Sequence, residues 1–84
     1  MHGLSDESYP LPSADELREL LRMHQLTGGE AGRLVGVDSR TVRRWTGGER
    51  RMPWAAWTLL RLLVGETTKV EVLRAVGKDL PHAE

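Results

Sequence analysis

Gly36 divides two short stretches of helical spacing in the run Thr27-Gly-Gly-Glu-Ala-Gly-Arg-Leu-Val-Gly-Val-Asp-Ser-Arg-Thr-Val-Arg-Arg-Trp45, and it limits what the chain can fold into. A glycine at such a point takes the left-handed backbone that ends a helix, a conformation an alanine would strain to reach. Asp38, two residues on, carries the short acceptor side chain that opens a new helix. The run is therefore expected to form two short helices joined by a tight turn. The second extends from Ser39 to about Thr46 and stops at Gly47-Gly48. With about 100° between successive residues, Val42 and Trp45 share one face, and Arg40, Arg43 and Arg44 fall within roughly 50° of the opposite direction. A helix that buries Val and Trp and presents three guanidinium groups suits a groove lined with acceptors, and the major groove of DNA is such a groove.

The same signals recur along the chain. Ser13-Ala-Asp-Glu16 has the form of a capping box, in which the Ser13 hydroxyl accepts from the Glu16 amide and the Glu16 carboxylate reaches back. A first helix to about Gln25 follows, with Ala14, Leu17, Leu20 and Leu21 inward and His24 as a packing residue at its end. Thr27 and Glu30 repeat the device for the second helix, residues 28–35, which is expected to bury Ala31, Leu34 and Val35. Its glycines at 28, 29 and 32 each cost about 1 kcal/mol of helix propensity relative to alanine. This helix therefore needs packing to form, and Gly32 would let the next helix cross closely. Pro53 suits the first turn of a fourth helix ending at Gly65. The apolar set of that helix, Ala56, Trp57, Leu59, Leu60, Leu63 and Val64, covers more than one face. A fifth, about Lys69 to Val76, takes Thr67 or Thr68 as cap and Gly77 as stop. The fold class is all-α, with five short helices in one domain over residues 13–77. A loose arm over residues 1–12 and a frayed tail over 78–84 flank it. Thr-Gly-Gly-Glu occurs at 27–30 and again at 46–49, once opening a helix and once closing one, and is read as coincidence.

The 84 residues carry 12 basic and 12 acidic side chains. Zero net charge does not exclude nucleic acid, because the charge is unevenly placed: residues 1–26 are net −3 and residues 27–53 net +3. Ten of the bases are Arg, and the chain lacks Ile, Asn, Phe and Cys. Such bias makes arginine placement more telling than arginine number. Without cysteine there is neither a disulfide nor a thiolate metal site, and the expected setting is the cytoplasm. No apolar run approaches the roughly 20 residues of a membrane span, and the first residues lack the plan of a signal peptide. His2, His24 and His82 are scattered, and neither Gly-Gly pair continues into a phosphate loop. No catalytic residue, metal site or cofactor is expected. Single-strand stacking would need exposed aromatic rings, and Trp45 and Trp57 lie on core stripes while Trp54 could serve core or interface.

Taken together, Leu26-Thr27, Gly32, Gly36-Val37-Asp38, Thr41-Val42, Trp45, Gly48 and Pro53 resemble the Cro and phage-repressor (xenobiotic-response-element) type of helix-turn-helix domain over about residues 14–65. Within that family the short length and the run Arg40-Thr-Val-Arg-Arg-Trp45 followed by Pro53 look like the small anti-CRISPR-associated phage regulators. There are departures: Gly32 stands where the family usually has alanine, and Gly28 where it often has a glutamine that buttresses phosphate contacts. The resemblance implies a sequence-specific regulator of double-stranded DNA, most simply a repressor of a small phage or mobile-element operon. An antitoxin and a protein-interaction module on the same fold are the alternatives, and either would bring a protein partner.

The residues assign themselves accordingly. Ser39, Arg40, Arg43 and Arg44 are the candidate base readers. A merely solvated face would carry acidic partners four residues away, and these arginines have none. Thr27, Gly28, Thr41, Arg50 and Arg51 are the candidate phosphate contacts: the helix start offers bare amides, and the two arginines follow a flexible Gly-Gly pair. Trp54, Leu59, Val70 and Leu73 exceed what one small core can bury and are the candidate dimer interface. A homodimer on an inverted-repeat operator is the expected assembly.

Overall fold

The structure is a computed structural model and describes residues 11–77; most of the arm and all of the tail expected from the sequence lie outside the described residues. The described part is all-helical: α1 Ala14–Met23, α2 Gly28–Val35, α3 Ser39–Thr46, α4 Trp54–Val64 and α5 Lys69–Ala75. This arrangement is compatible with a small helix-turn-helix domain. Four of the five N-caps are side chains. Ser13 and Thr27 each form a complete capping box with the glutamate three residues on, while Asp38 and Thr68 accept from Thr41 N and Glu71 N. Pro53 occupies the cap of α4 rather than its first turn.

α3 is the centre of the packing, with α2 and α1 against it and α4 against α2. Its Val42 and Trp45 enter a core made with Leu17, Leu20, Leu21, Ala31, Met52 and Leu60. The turn before α3 is tight in a specific way. The Gly32 carbonyl accepts from both Gly36 N (2.7 Å) and Val37 N (2.9 Å), with Gly36 at φ 83°. The chain thus reverses directly over Gly32, and the close approach that the missing side chain permits is to the turn's own backbone at Val37 and Asp38.

One packing expectation changes, and the loop before α4 and α4 itself add what helical spacing did not specify. Leu34 is 39% exposed: α2 turns Ala31, Gly32 and Val35 inward, and Leu34 lies about 110° from the centre of that face. Met52, in the loop before α4, is a core residue at 2% exposed, a position that helical spacing cannot reveal. In α4, Leu60 and Thr58 are buried, whereas Leu59 and Leu63 are exposed. α5 contributes no fully buried residue and lies along the Trp54, Thr58 and Arg61 side of α4. The α1–α4 side is closed by His24 Nε2, 2.8 Å from Glu66 Oε2, so His24 joins a polar pair and does more than pack.

Candidate nucleic-acid interface

α3 is built so that its two faces differ in kind. Val42 and Trp45 are buried, while Ser39, Arg40, Arg43 and Arg44 are all exposed. Among the described residues no carboxylate stands within 4 Å of Arg40, Arg43, Arg44 or Arg50, although Arg18 and Arg22 on α1 pair with Asp15 and Glu19. Unpaired guanidinium groups on a short rigid helix can meet phosphate or guanine acceptors without first breaking an ion pair. Asp38, at the helix start, lies within electrostatic reach of Arg40 and Arg44. Its carboxylate is held below the usual range first by the Thr41 backbone N–H (2.8 Å), with help from the Thr41 side chain and from the charges of Arg40 and Arg44.

At the start of α2 the Thr27 Oγ1 accepts from Glu30 N (3.0 Å), which leaves its hydroxyl proton to donate elsewhere. Gly28 sits over α3: a Cβ there would stand 3.5 Å from Val42 Cγ1, in ordinary contact. Thr41 is half-buried on α3.

The loop after α3 is more tightly held than its glycines suggest. Gly48 takes φ 82°, and both Glu49 N (2.9 Å) and Arg50 N (3.2 Å) then bond to the Arg44 carbonyl, fixing Arg50 at the end of α3. Arg51 makes two bonds that its place in the sequence does not announce. Its Nε donates to the Pro12 carbonyl (3.1 Å) and its Nη2 to that of Leu11 (2.6 Å), so this exposed side chain is tied to the segment that precedes α1.

No family model matches the chain, and no solved structure matches it. Two curated proteins do. Over 57 residues the chain is 46% identical to a transcriptional repressor protein KorC of Escherichia coli, a match covering 64% of this chain and 67% of that one. Over 62 residues it is 44% identical to a second Escherichia coli protein of the same name, covering 70% of this chain and 73% of the other. The chain belongs to the KorC family. A match over 70% of 84 residues takes in residues 27–58 wherever it starts, so α2, the turn, α3 and the Arg50 loop all fall within what this chain shares with that KorC protein.

The remaining candidates of this KorC-family chain lie on α4 and α5. Leu59 and Val70 are exposed, whereas Trp54 lines a small cleft against α5 and Leu73 is half-buried. Leu62 and Leu63, absent from the sequence-based set, join Leu59 in one exposed sector of α4. Their spacing of three and four residues was the available signal. A separate cleft of about 370 Å³ over Leu20, Met23 and Trp57 is lined by Asp15, Glu16, Glu19 and Glu66, so it suits no phosphate. Among the described residues no helix is long and apolar enough to cross a membrane, and no acidic or histidine group could hold a metal ion.

Proposed function

We propose that this chain is a transcriptional repressor that binds double-stranded DNA as a homodimer, with a helix-turn-helix of the Cro and phage-repressor type laying α3 in the major groove. The observation that carries this reading is the division of α3: Val42 and Trp45 are buried, and Arg40, Arg43 and Arg44 are exposed with no carboxylate partner among the described residues. The family adds weight, since the two relatives are named transcriptional repressors. Ser39, Arg40, Arg43 and Arg44 face base edges, while Thr27, Gly28, Thr41 and Arg50 hold phosphates and fix register. Two copies related by a two-fold axis read an inverted repeat, because one eight-residue helix spans too few base pairs to single out a site. The regulated unit is a small operon, the setting is the cytoplasm, and no residue is assigned a catalytic role.

Selection of bound duplexes from a random pool tests the reading directly. The expected product is an inverted repeat with guanines in each half, and a reporter promoter carrying that repeat is silenced by the protein. Failure to retain any duplex at low salt would overturn the proposal and leave a protein-interaction role.

A further inference from the structure

An α-helix leaves its last four carbonyls without helical donors, and in α3 these belong to Arg43, Arg44, Trp45 and Thr46. Three are satisfied by neighbours close in the chain. Gly47 N and Thr46 Oγ1 serve the Arg43 carbonyl, Gly48 N that of Trp45, and Glu49 N and Arg50 N that of Arg44. The fourth is served from another helix: Arg18 Nη1 on α1 donates to the Thr46 carbonyl. Its Nη2 meets Asp15, which balances its charge locally. Arg51 makes the reverse connection. From the segment leaving α3 it reaches the Leu11 and Pro12 carbonyls, which lie immediately before the Ser13 cap of α1. Met52 beside it is seated in the core. Two guanidinium groups thus cross between the start of α1 and the exit of α3, one in each direction.

Resting on the DNA-binding reading above, we infer that Arg18 and Arg51 are positioning residues for base readout, clamping the C-terminal half of the reading helix so that Arg43 and Arg44 keep one orientation. Neither contributes charge to the phosphate backbone. Arg51 bonds two carbonyls with two nitrogens of one planar fork, which a lysine ammonium at the end of a flexible stem does not reproduce. Hydrogen bonds to base edges are directional, so a small tilt of α3 costs discrimination between sequences while leaving the charge presented to any duplex unchanged.

The test uses the full chain, the selected operator and an unrelated duplex, each titrated between 50 and 200 mM salt with Arg50→Ala, Arg51→Ala, Arg51→Lys and Arg18→Ala. All titrations are made below the melting temperature of the least stable variant. Arg50→Ala is expected to weaken binding to both duplexes alike and to lower the salt slope by about one. Arg51→Ala and Arg18→Ala keep the wild-type slope and the wild-type affinity for the unrelated duplex. Both lose about tenfold on the operator, comparable to one mismatched base pair. Arg51→Lys behaves like Arg51→Ala. If Arg51→Ala lowers the slope by about one and Arg51→Lys restores binding, Arg51 is a phosphate contact and the inference fails. It fails equally if the variants melt earlier but keep the full operator preference, which is the behaviour of a plain structural tie. Should Arg18→Ala not fold, the two Arg51 variants decide alone. Wild-type protein that retains no duplex would remove the DNA-binding reading itself, an outcome distinct from either variant pattern.

Discussion

A Cβ on Gly32 would stand 2.6 Å from the carbonyl oxygen of Val37. The obstacle is backbone, and it belongs to the turn that leads into α3. The turn therefore lies closer to α2 than an alanine allows. Gly32→Ala is expected to destabilise the protein by about 1–3 kcal/mol, the usual cost of overpacking, and to shift α3 enough to weaken operator binding. Gly29 is the control, because a Cβ there meets nothing nearer than Thr27 Oγ1 at 3.9 Å. Gly29→Ala should raise stability by about 0.5–1 kcal/mol through helix propensity. Urea denaturation of both variants checks the pair, and equal effects would mean that the contact at Gly32 does not govern the turn.

Asp38 combines two roles that a single substitution separates. It caps α3 through the Thr41 N–H, and its negative charge lies near Arg40 and Arg44. A carboxylate whose native value is depressed adds stability that is present above its unfolded value and is lost as pH falls through the native one. The Asp38 contribution should therefore begin to fall below about pH 3.9, the ordinary aspartate value, and be lost as pH drops through the lower native value. Asp38→Asn keeps an acceptor for the cap but has no charge to titrate. The stability difference between wild type and Asp38→Asn should shrink as pH falls through that acid range, and it should be flat with pH if the Thr41 bond is not formed in solution. At neutral pH the variant should bind unrelated duplex more tightly than wild type, because an anion that repels the polyanionic duplex is gone from the start of α3.

The chain has no Asn, and its one Gln, Gln25, lies outside α3. The bidentate amide pairing with adenine is thus missing from α3, and on the proposed reading Arg40 and Arg44 should pair instead with O6 and N7 of guanine. Arg40→Ala and Arg44→Ala should each cost about 1–3 kcal/mol on the selected operator and relax preference at one position per half-site. Repeating the selection with each variant measures this. Unchanged preference in both would show that α3 is not the reader.

What the sequence discloses here is mainly local. Ser13, Thr27, Asp38 and Thr68 open helices where short acceptor side chains should, and Gly36 and Gly65 end them in the left-handed region. The inward and outward faces of α3 are likewise legible, since a helix carrying Val, Trp and three Arg has only one rotation that buries the first two. What depends on distant contacts is not legible. Met52 becomes core only through its place among residues distant in the chain, and Leu34 loses its place because Gly32 and Val35 take the inward sector. Arg50 and Arg51 are adjacent, chemically identical and both exposed, yet one is fixed by backbone bonds at the end of α3 and the other has its side chain tied to Leu11 and Pro12. Nothing in an Arg-Arg dipeptide distinguishes them. The KorC relatives were equally out of reach of motif reading, because the marks that place the chain near the Cro-type domains are shared features of a turn and two caps.

Assembly provides the last test. Leu59, Leu62 and Leu63 occupy a sector of about 100° on α4, turned away from Leu60, which is fully buried; Leu63 is 53% exposed, and Val70 on α5 is 55% exposed. An apolar stripe on the outer side of a DNA-binding domain is suited to a two-fold contact, in which the same residues meet their own copies. Leu63→Glu places a charge in that stripe without removing core volume, so the variant should melt near the wild-type temperature and remain monomeric in light scattering. Its protomers should still recognise a half-site, but without the linked second contact the affinity for the inverted repeat should drop by about a hundredfold or more. Two protomers of the wild type should occupy half-sites centred about 34 Å apart, one helical turn of DNA. If Leu63→Glu remains a dimer on the repeat at full affinity, the exposed face of α4 is not the interface, and the two-fold contact must be sought elsewhere on the domain.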